Sequence, residues 1–205
     1  PYYTDSQGGA WRLYPFVEHT ICHQSADTPE LFAASGRAFG RFQQLQKDYP
    51  AKTLHETIPN FHNTEDRLAK FKAAMEADKL GRAAECKPEI DFVLAHAADC
   101  SVALNAMREG KLPLRVTHND TKLNNVLMDE ITGEGVCIID LDTVMPGLVI
   151  YDFGDSIRFG ANHSAEDETD LSKVNLDIDL FAAYTAAFIE GTDGSLTNEE
   201  IAYLP

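Results

Sequence analysis

Six polar residues in the middle of the chain have the types and the order that phosphoryl transfer requires. They are His118, Asp120, Lys122, Asn125, Asp140 and Asp142. Such a reaction needs a carboxylate that orients the acceptor hydroxyl, together with an amide oxygen and a second carboxylate on Mg²⁺. Mg²⁺ takes oxygen ligands and few of them from protein, so an Asn and an Asp satisfy it. The order therefore predicts Asp120 as the catalytic base and Asn125 and Asp140 as metal ligands.

The spacing around Asp120 supports this assignment. Asn125 lies five residues after Asp120 in H-x-D-x-x-x-x-N, and Asp140 lies twenty residues after it. Lys122 follows Asp120 by two residues, where a cation would neutralise charge on the transferring phosphoryl group. His118 completes the His-x-Asp pattern, and we group it with the catalytic residues.

Two short apolar runs must position these residues. Residues 126–128 and 136–139 are β-branched or aliphatic and predict strands, and the glycine-containing residues 129–135 favour a hairpin between them. Polar groups at the ends of buried strands are held on a rigid scaffold, where chemistry is commonly placed. If the second strand continues, Asp142 shares a face with Asp140, because side chains alternate along a strand.

Caps and apolar periodicity predict helices over most of the remaining chain. The predicted helices run from Asp27 or Thr28 to Tyr49, over 64–84, over 88–107 and over 176–189, and a capping box at Thr197 and Glu200 begins another. Gly36 and Gly40 favour close packing of the first helix. The expected core positions of the second helix are Leu68, Phe71, Met75 and Leu80.

Other polar residues fall outside the predicted catalytic strands. Asp152, Asp155 and Arg158 are spaced by three and are expected on one helical face, where a surface ion-pair set is one interpretation of the last two. Residues 161–173 form an acidic, loop-like segment. His55 and His62 are interpreted as surface or capping histidines.

Composition excludes several classes of protein. The net charge of −16 argues against nucleic acid and against an anionic membrane surface as partners. The 44% hydrophobic content of the 205 residues is enough for a packed core. The chain has no apolar stretch long enough to span a membrane. Cys22, Cys86, Cys100 and Cys137 have no C-x-x-C spacing, so we expect reduced, mostly buried thiols and a cytoplasmic location.

The run H-N-D-T-K-L-N-N-V-L, followed by I-D-L-D-T-V-M-P-G and Y-D-F-G-D-S-I-R, resembles the catalytic core of the aminoglycoside phosphotransferase / choline kinase family. It is most similar to the N-acetylhexosamine 1-kinases. The resemblance implies ATP and Mg²⁺ as cofactors and the anomeric hydroxyl of GlcNAc or GalNAc as the acceptor. It also implies an α+β fold: a mostly helical, protein-kinase-like large lobe with short catalytic β-hairpins, preceded by a remnant hairpin of the small lobe.

The same resemblance assigns regions and further site residues. Residues 1–17 would be the last strands of the small lobe with the hinge, and residues 18–205 the large lobe. The residues expected around adenine are Tyr14, Phe16, Val17 and Glu18; a plain edge hairpin interrupted by Pro15 is the alternative. The residues expected on the sugar side are Asn119, Asp155 and Arg158. Asp142 would be a second metal contact or a sugar contact, and Asp152 would brace the catalytic loop.

Two features of complete kinases of this kind do not occur in the chain. There is no glycine-rich strand-turn-strand to cover phosphates and no V-A-I-K-like lysine strand. We therefore expect a chain that is truncated at both ends and inactive by itself. Within the same fold, the alternative acceptors are aminoglycosides, choline or ethanolamine, homoserine and methylthioribose. A non-catalytic kinase-like binding module is the alternative from another class.

Overall fold

Helices make up most of the regular structure in the computed structural model, which describes residues 2–204. The helices are α1 (Pro29–Leu45), α2 (Thr64–Ala77), α3 (Lys87–Ala95), α4 (Val102–Arg108), α5 (Val149–Gly160), α6 (Ile178–Gly191) and α7 (Asn198–Ala202). The strands are β1 (Tyr3–Thr4), β2 (Ala10–Trp11), β3 (Thr20–Ile21), β4 (Arg115–Thr117), β5 (Val126–Asp129), β6 (Gly135–Ile138) and β7 (Met145–Gly147). This mixture of many helices and small sheets confirms the predicted α+β class.

The main core lies between α1 and α6. A Cβ atom added at Gly36 would stand 2.7 Å from the carbonyl oxygen of Tyr184, and one added at Gly40 would collide with that of Phe188. Only glycine lets the two backbones approach this closely, which confirms the predicted packing role of both residues. The buried side chains Phe32, Phe39, Phe153, Tyr184 and Phe188 fill the space around this contact.

Two small sheets carry the segment with the predicted catalytic residues. The β5–β6 hairpin is antiparallel with Val126 opposite Ile138, and β3 pairs with the outer side of β5. The predicted hairpin is therefore confirmed. Strands β4 and β7 are also antiparallel, with Thr117 opposite Met145. This pair holds the two ends of residues 118–144 together, so the intervening loops start and finish at one place in the fold.

The second and third predicted helices differ from the structure. Helix α2 ends at Ala77, because Asp78 takes a left-handed backbone conformation with φ 32°, and it does not reach residue 84. The single helix predicted over 88–107 is divided into α3 and α4 by a 3₁₀ turn at Asp99–Ser101. The ring of His96 pairs with the Asp99 carboxylate at this break, at 2.9 Å.

The expected core role of the α2 residues is also wrong. Neither α2 nor α3 contains a buried residue, and Leu80 is 80% exposed. Apolar periodicity defines one face of a helix, but it does not say how much of that face a partner will cover. These helices lie at the edge of the molecule, where only part of each apolar face is in contact.

The opening segment, which we define as residues 2–17, contains one short hairpin. Strand β1 pairs with β2, with Tyr3 opposite Trp11, and β2 ends at Trp11, so the regular strands cover only part of the predicted residues 1–17. Pro1, which the prediction included, lies outside the described residues. The large apolar side chains of this segment are exposed: Tyr2, Tyr3, Trp11, Leu13, Tyr14 and Phe16.

The cysteines are less buried than predicted. All four cysteines are free, but the prediction that most are buried is wrong, because three are half-buried and Cys86 is exposed. Within residues 2–204, no single helix has the length and apolar character to cross a membrane. One bent pair, Lys87–Ala95 with Asp99–Arg108 at 56°, meets the length and composition criteria together.

Candidate active site

One buried carboxylate supports the candidate catalytic loop, which we define as residues 118–125. Asp152, in the first turn of α5, is 1% exposed. It accepts hydrogen bonds from the backbone N–H groups of Asn119 (2.8 Å) and His118 (3.0 Å) and from the Gln43 side chain (2.8 Å). Burial raises the pKa of Asp152 to about 6, while the two backbone donors act in the opposite sense. These contacts confirm that Asp152 braces the loop.

Asn119 is built into the loop. Its backbone is left-handed, with φ 67°, a conformation that Asn tolerates better than most residues. Its side-chain amide donates to the carbonyl oxygens of Thr117 (3.2 Å) and Thr143 (2.8 Å), and the residue is 4% exposed. The amide hydrogens of this predicted sugar-side residue are therefore used within the protein.

His118 lies beneath the predicted base. Its Nε2 is 2.9 Å from the carbonyl oxygen of Ile139, and its Nδ1 accepts a hydrogen bond of 3.3 Å from the backbone N–H of Asp120. Together these contacts require the neutral tautomer that carries its hydrogen on Nε2. The ring is fully buried, with Phe39 and Phe42 edge-on to it. His118 thus joins the loop to the end of β6 and holds the backbone N–H of Asp120 in place.

The structure brings Asp120, Asn125 and Lys122 together. The side-chain amide of Asn125 donates to the Asp120 carbonyl oxygen at 2.8 Å and to its carboxylate Oδ2 at 3.1 Å. The ammonium of Lys122 lies 3.6 Å from the other carboxylate oxygen, Oδ1. Desolvation acts to lower the pKa of Lys122, but the charges of Asp120 and Glu166 outweigh it and raise that pKa. A carboxylate between an amide and a cation suits a base that orients a hydroxyl.

Asp140 and Asp142 occupy different environments. Asp140 is left-handed, with φ 59°, and directly follows Ile139, whose N–H donates to the Asn125 carbonyl oxygen at 2.9 Å. Asp142 lies in a 3₁₀ turn, its side chain is 72% exposed, and it pairs with Arg12. The expectation of a shared strand face is wrong, because β6 ends at Ile138 and the chain turns before Asp142.

The donors around Asn125 fit Mg²⁺ better than a metal held by protein alone. Because the Asn125 amide nitrogen points to Asp120, its Oδ1 faces away from that carboxylate, and Asp140 directly follows Ile139, whose N–H binds the Asn125 backbone. Across residues 2–204, no three His, Cys, Asp or Glu side chains gather into a metal cluster. Mg²⁺ usually binds one or two carboxylates and takes its other ligands from phosphates and water. Asn125 and Asp140 offer oxygen donors of that kind.

A cleft of about 920 Å³ separates the opening segment from the β5–β6 hairpin. Three of the residues predicted around adenine, Tyr14, Phe16 and Val17, line it, whereas Glu18 does not. Residues of the β5–β6 hairpin and of the turn after it also line the cleft: Leu127, Cys137, Ile138, Ile139, Asp140 and Asp142. The cleft is therefore mostly apolar, and its charged lining residues are Arg12, Asp140 and Asp142. Such a lining suits a flat apolar base joined to a charged, metal-binding group.

A comparison with known families decides which class of enzyme this geometry belongs to. The family model APH, described as the phosphotransferase enzyme family, matches residues 2–188. The chain belongs to this phosphotransferase family. Membership confirms the predicted aminoglycoside phosphotransferase / choline kinase-like family and a small-molecule acceptor with a hydroxyl group. Kinases of this family typically use ATP and Mg²⁺.

The two other predicted sugar-side residues of this phosphotransferase are paired with each other. The Asp155 carboxylate accepts from the guanidinium of Arg158 at 2.9 Å and from the backbone N–H of Thr121 at 2.8 Å. Arg158 also binds Glu166 at 2.9 Å, and Glu166 lies 3.4 Å from Lys122. The structure therefore supports the ion-pair interpretation of Asp155 and Arg158 and connects both to the catalytic loop.

Three residues near the loop had no sequence signal that identified them. Glu166 was one carboxylate among several in an acidic segment, and Gln43 lay on a helix interpreted only as core. His62, interpreted as a surface or capping residue, is half-buried; its Nε2 lies 3.2 Å from the Asn119 carbonyl oxygen and its ring 5.1 Å from that of Tyr151. Burial lowers the pKa of His62. It borders a second cavity, of about 260 Å³, that reaches Asn119 from the α2 side.

Proposed function

We propose that this phosphotransferase moves the terminal phosphoryl group of Mg·ATP to the anomeric hydroxyl of an N-acetylhexosamine, GlcNAc or GalNAc. The observation that carries the proposal is the Asp120 carboxylate, held at 3.1 Å by Asn125 and at 3.6 Å by Lys122 on a loop braced from inside the protein. The motifs around these residues are those that resemble the sugar 1-kinases. A cytoplasmic location belongs to the same proposal.

The nucleotide would occupy the cleft between the opening segment and the β5–β6 hairpin. Tyr14, Phe16 and Val17 offer apolar contact to the base from one side, and Leu127 and Ile138 offer it from the other. Asn125 and Asp140 would hold Mg²⁺ near the end of the cleft, where the ion would neutralise charge on the phosphates and orient them.

The residues of the loop have separate roles in the reaction. Asp120 accepts a hydrogen bond from the acceptor hydroxyl, aims its oxygen at phosphorus and receives its proton as the new O–P bond forms. The bond between that phosphorus and the ADP oxygen breaks in the same displacement. Lys122 stabilises negative charge on the transferring group. Asp152 and His118 keep Asp120 in place without touching the reactants.

An acceptor screen on the full-length protein tests the proposal. ADP release should depend on GlcNAc or GalNAc, and the phosphorus NMR spectrum of the product should show an anomeric phosphate. The 1-O-methyl glycosides are the matched control, because the reacting oxygen is blocked while the rest of the sugar is unchanged. Turnover of those glycosides, or turnover only with an aminoglycoside, choline or homoserine, would refute the sugar 1-kinase assignment.

A further inference from the structure

A ring of ion pairs and hydrogen bonds begins and ends within the catalytic loop. Its members are Asp120, Lys122, Glu166, Arg158, Asp155 and the backbone N–H of Thr121. The first, second and last members come from three consecutive residues of the loop, while Asp155 and Arg158 come from α5. Glu166 is the only member of the ring that comes from the segment after α5, and its carboxylate joins Lys122 to Arg158.

Glu166 bridges two cations with its two oxygens. Its Oε1 accepts from Arg158 Nη1 at 2.9 Å, and its Oε2 lies 3.4 Å from the ammonium of Lys122. Arg158 is itself held by Asp155, which also accepts the Thr121 N–H at 2.8 Å. Through Arg158 and Asp155 of α5, the Glu166 carboxylate is therefore held in a fixed position relative to the loop. Glu166 nevertheless lies 44 residues after Lys122 in the sequence.

Lys122 has two carboxylates at similar distances. The ammonium stands 3.6 Å from Asp120 and 3.4 Å from Glu166, and its side chain is 27% exposed. The lysine stem is flexible and its ammonium is a compact charge that moves to the nearest strong acceptor. With only Asp120 available, it would close to a direct hydrogen bond of about 2.8 Å with that carboxylate. It would then compete with the acceptor hydroxyl for the base.

We propose that Glu166 is a positioning residue that holds Lys122 away from full contact with Asp120 and directs it toward the transferring phosphoryl group. The inference rests on the proposed function, because it assigns Lys122 and Asp120 separate tasks. Glu166 itself need not touch either substrate. Its effect on the reaction passes through Lys122, so the loss of Glu166 matters only while Lys122 is present.

The first test measures the ammonium itself and needs no turnover. Lysines carrying ¹³C-methyl labels are titrated by NMR, and the signal of Lys122 is identified by its loss in Lys122→Met. Glu166→Gln should lower the pKa of Lys122, because one of the two carboxylates that raise it has lost its charge. Asp167→Asn removes the same charge from the exposed neighbouring residue and should leave that titration unchanged. Equal titration curves for wild type and Glu166→Gln, together with an unchanged kcat in the second test, would overturn the inference.

The second test is a double-mutant cycle in the full-length protein. Glu166→Gln should lower kcat by about tenfold, within the coupling range of contacting charged residues, with little change in the KM for ATP. In the Lys122→Met background, the same substitution should have no further effect on kcat. A merely structural role would instead lower the thermal midpoint and act equally in both backgrounds, which would contradict the proposal.

The two proposals fail in different ways. If the wild-type protein phosphorylates no sugar but Glu166→Gln shifts the Lys122 titration, the sugar assignment is wrong and the positioning of Lys122 stands. If the wild type phosphorylates a sugar and Glu166→Gln changes neither the titration nor kcat, the positioning role is wrong and the enzyme assignment stands.

Discussion

The catalytic loop and the opening segment face the same cleft, but they are held in different ways. In the loop, His118, Asn119, Thr121 and Asn125 are buried, and the Asp152 carboxylate accepts the backbone N–H groups of the first two. In the opening segment, Leu13 is 96% exposed and Phe16 is 88% exposed. Its turn is held by the Asp5 carboxylate, and its link to the rest of the site is the exposed Arg12–Asp142 pair.

The difference shows which half of the site the fold preorganises. Buried donors and acceptors without partners are costly, so the loop has essentially one arrangement that satisfies all of its polar groups. Exposed side chains exchange protein partners for water at little cost, so the geometry of the opening segment depends on weak contacts. The catalytic loop is thus built into the fold, and the opening segment is held mainly by local contacts.

The largest expected effect comes from the base at the centre of the preorganised half. In the full-length protein, Asp120→Asn should reduce kcat by about 10²–10⁴, the usual cost of removing a general base. Nucleotide affinity should remain close to the wild-type value, because Asp120 acts on the acceptor hydroxyl. Steady-state kinetics and calorimetry with Mg·ATP measure the two quantities. Glu130→Gln, an exposed carboxylate on the β5–β6 connection, is the control, and an unchanged kcat in Asp120→Asn would refute the role.

The next effect tests whether the loop depends on the carboxylate behind it. Asp152→Asn replaces one accepting oxygen with an NH₂ group, which would face a backbone N–H of His118 or Asn119. The free energy of unfolding should fall by about 1–3 kcal/mol, the cost of an unsatisfied buried donor. Urea denaturation measures it. The exposed Asp48→Asn should stay within about 0.5 kcal/mol of wild type, and equal losses in both variants would contradict the comparison.

A smaller effect concerns pH and the half-buried histidine beside the loop. Because burial lowers the pKa of His62, the folded state binds a proton there less readily than the unfolded chain does. The contribution of His62 to stability is therefore present above its ordinary pKa of 6.5 and is lost as the pH falls through that value. Unfolding measured between pH 7.5 and 5 should be less pH-dependent in His62→Gln than in wild type.

His55 provides the control for that pH dependence. It is an exposed histidine in the same irregular segment, so His55→Gln should leave the slope of stability against pH unchanged. A wild-type slope in His62→Gln would show that the burial of His62 does not contribute to the pH dependence of stability.

The smallest effect is expected in the opening segment. Arg12→Ala removes the pair with Asp142, whose side chains are 53% and 72% exposed, so the free energy of unfolding should change by only about 0–1 kcal/mol. Thermal unfolding in low and high salt measures this change. Asp142→Asn should give a similar value, because it removes the same pair. A loss as large as that of Asp152→Asn would remove the distinction between the two halves of the site.

The parts of the site that sequence predicted are those formed by residues close together in the chain. Asp120 and Asn125, five residues apart, bond to each other, and the capping box of Thr197 and Glu200 forms as predicted. The β5–β6 hairpin follows from two apolar runs and a glycine-containing turn. In each case the types of neighbouring residues are enough to favour one local hydrogen-bonding pattern.

The unpredicted contacts connect residues that are far apart in the chain. Gln43 reaches Asp152 across 109 residues, and Arg115 pairs with the fully buried Glu200 across 85 residues. Local pattern predicted the cap at Glu200 but not this ion pair, because the pair exists only when α7 packs beside β4. The break between α3 and α4 has the same origin, since partial burial at the edge of the molecule does not require one straight helix.

By itself, the sequence predicted the chemistry: a base, an amide and two carboxylates in a fixed order, with a lysine beside them. The tertiary structure decided what each of these residues contacts. The chain turns after Ile138, so Asp142 does not lie on the strand face and pairs with Arg12 instead. The tertiary structure also brought Glu166 to Lys122. The physical reason is that residue type and spacing specify which bonds a group can form, whereas an exposed or long side chain has several possible partners, and only packing selects among them.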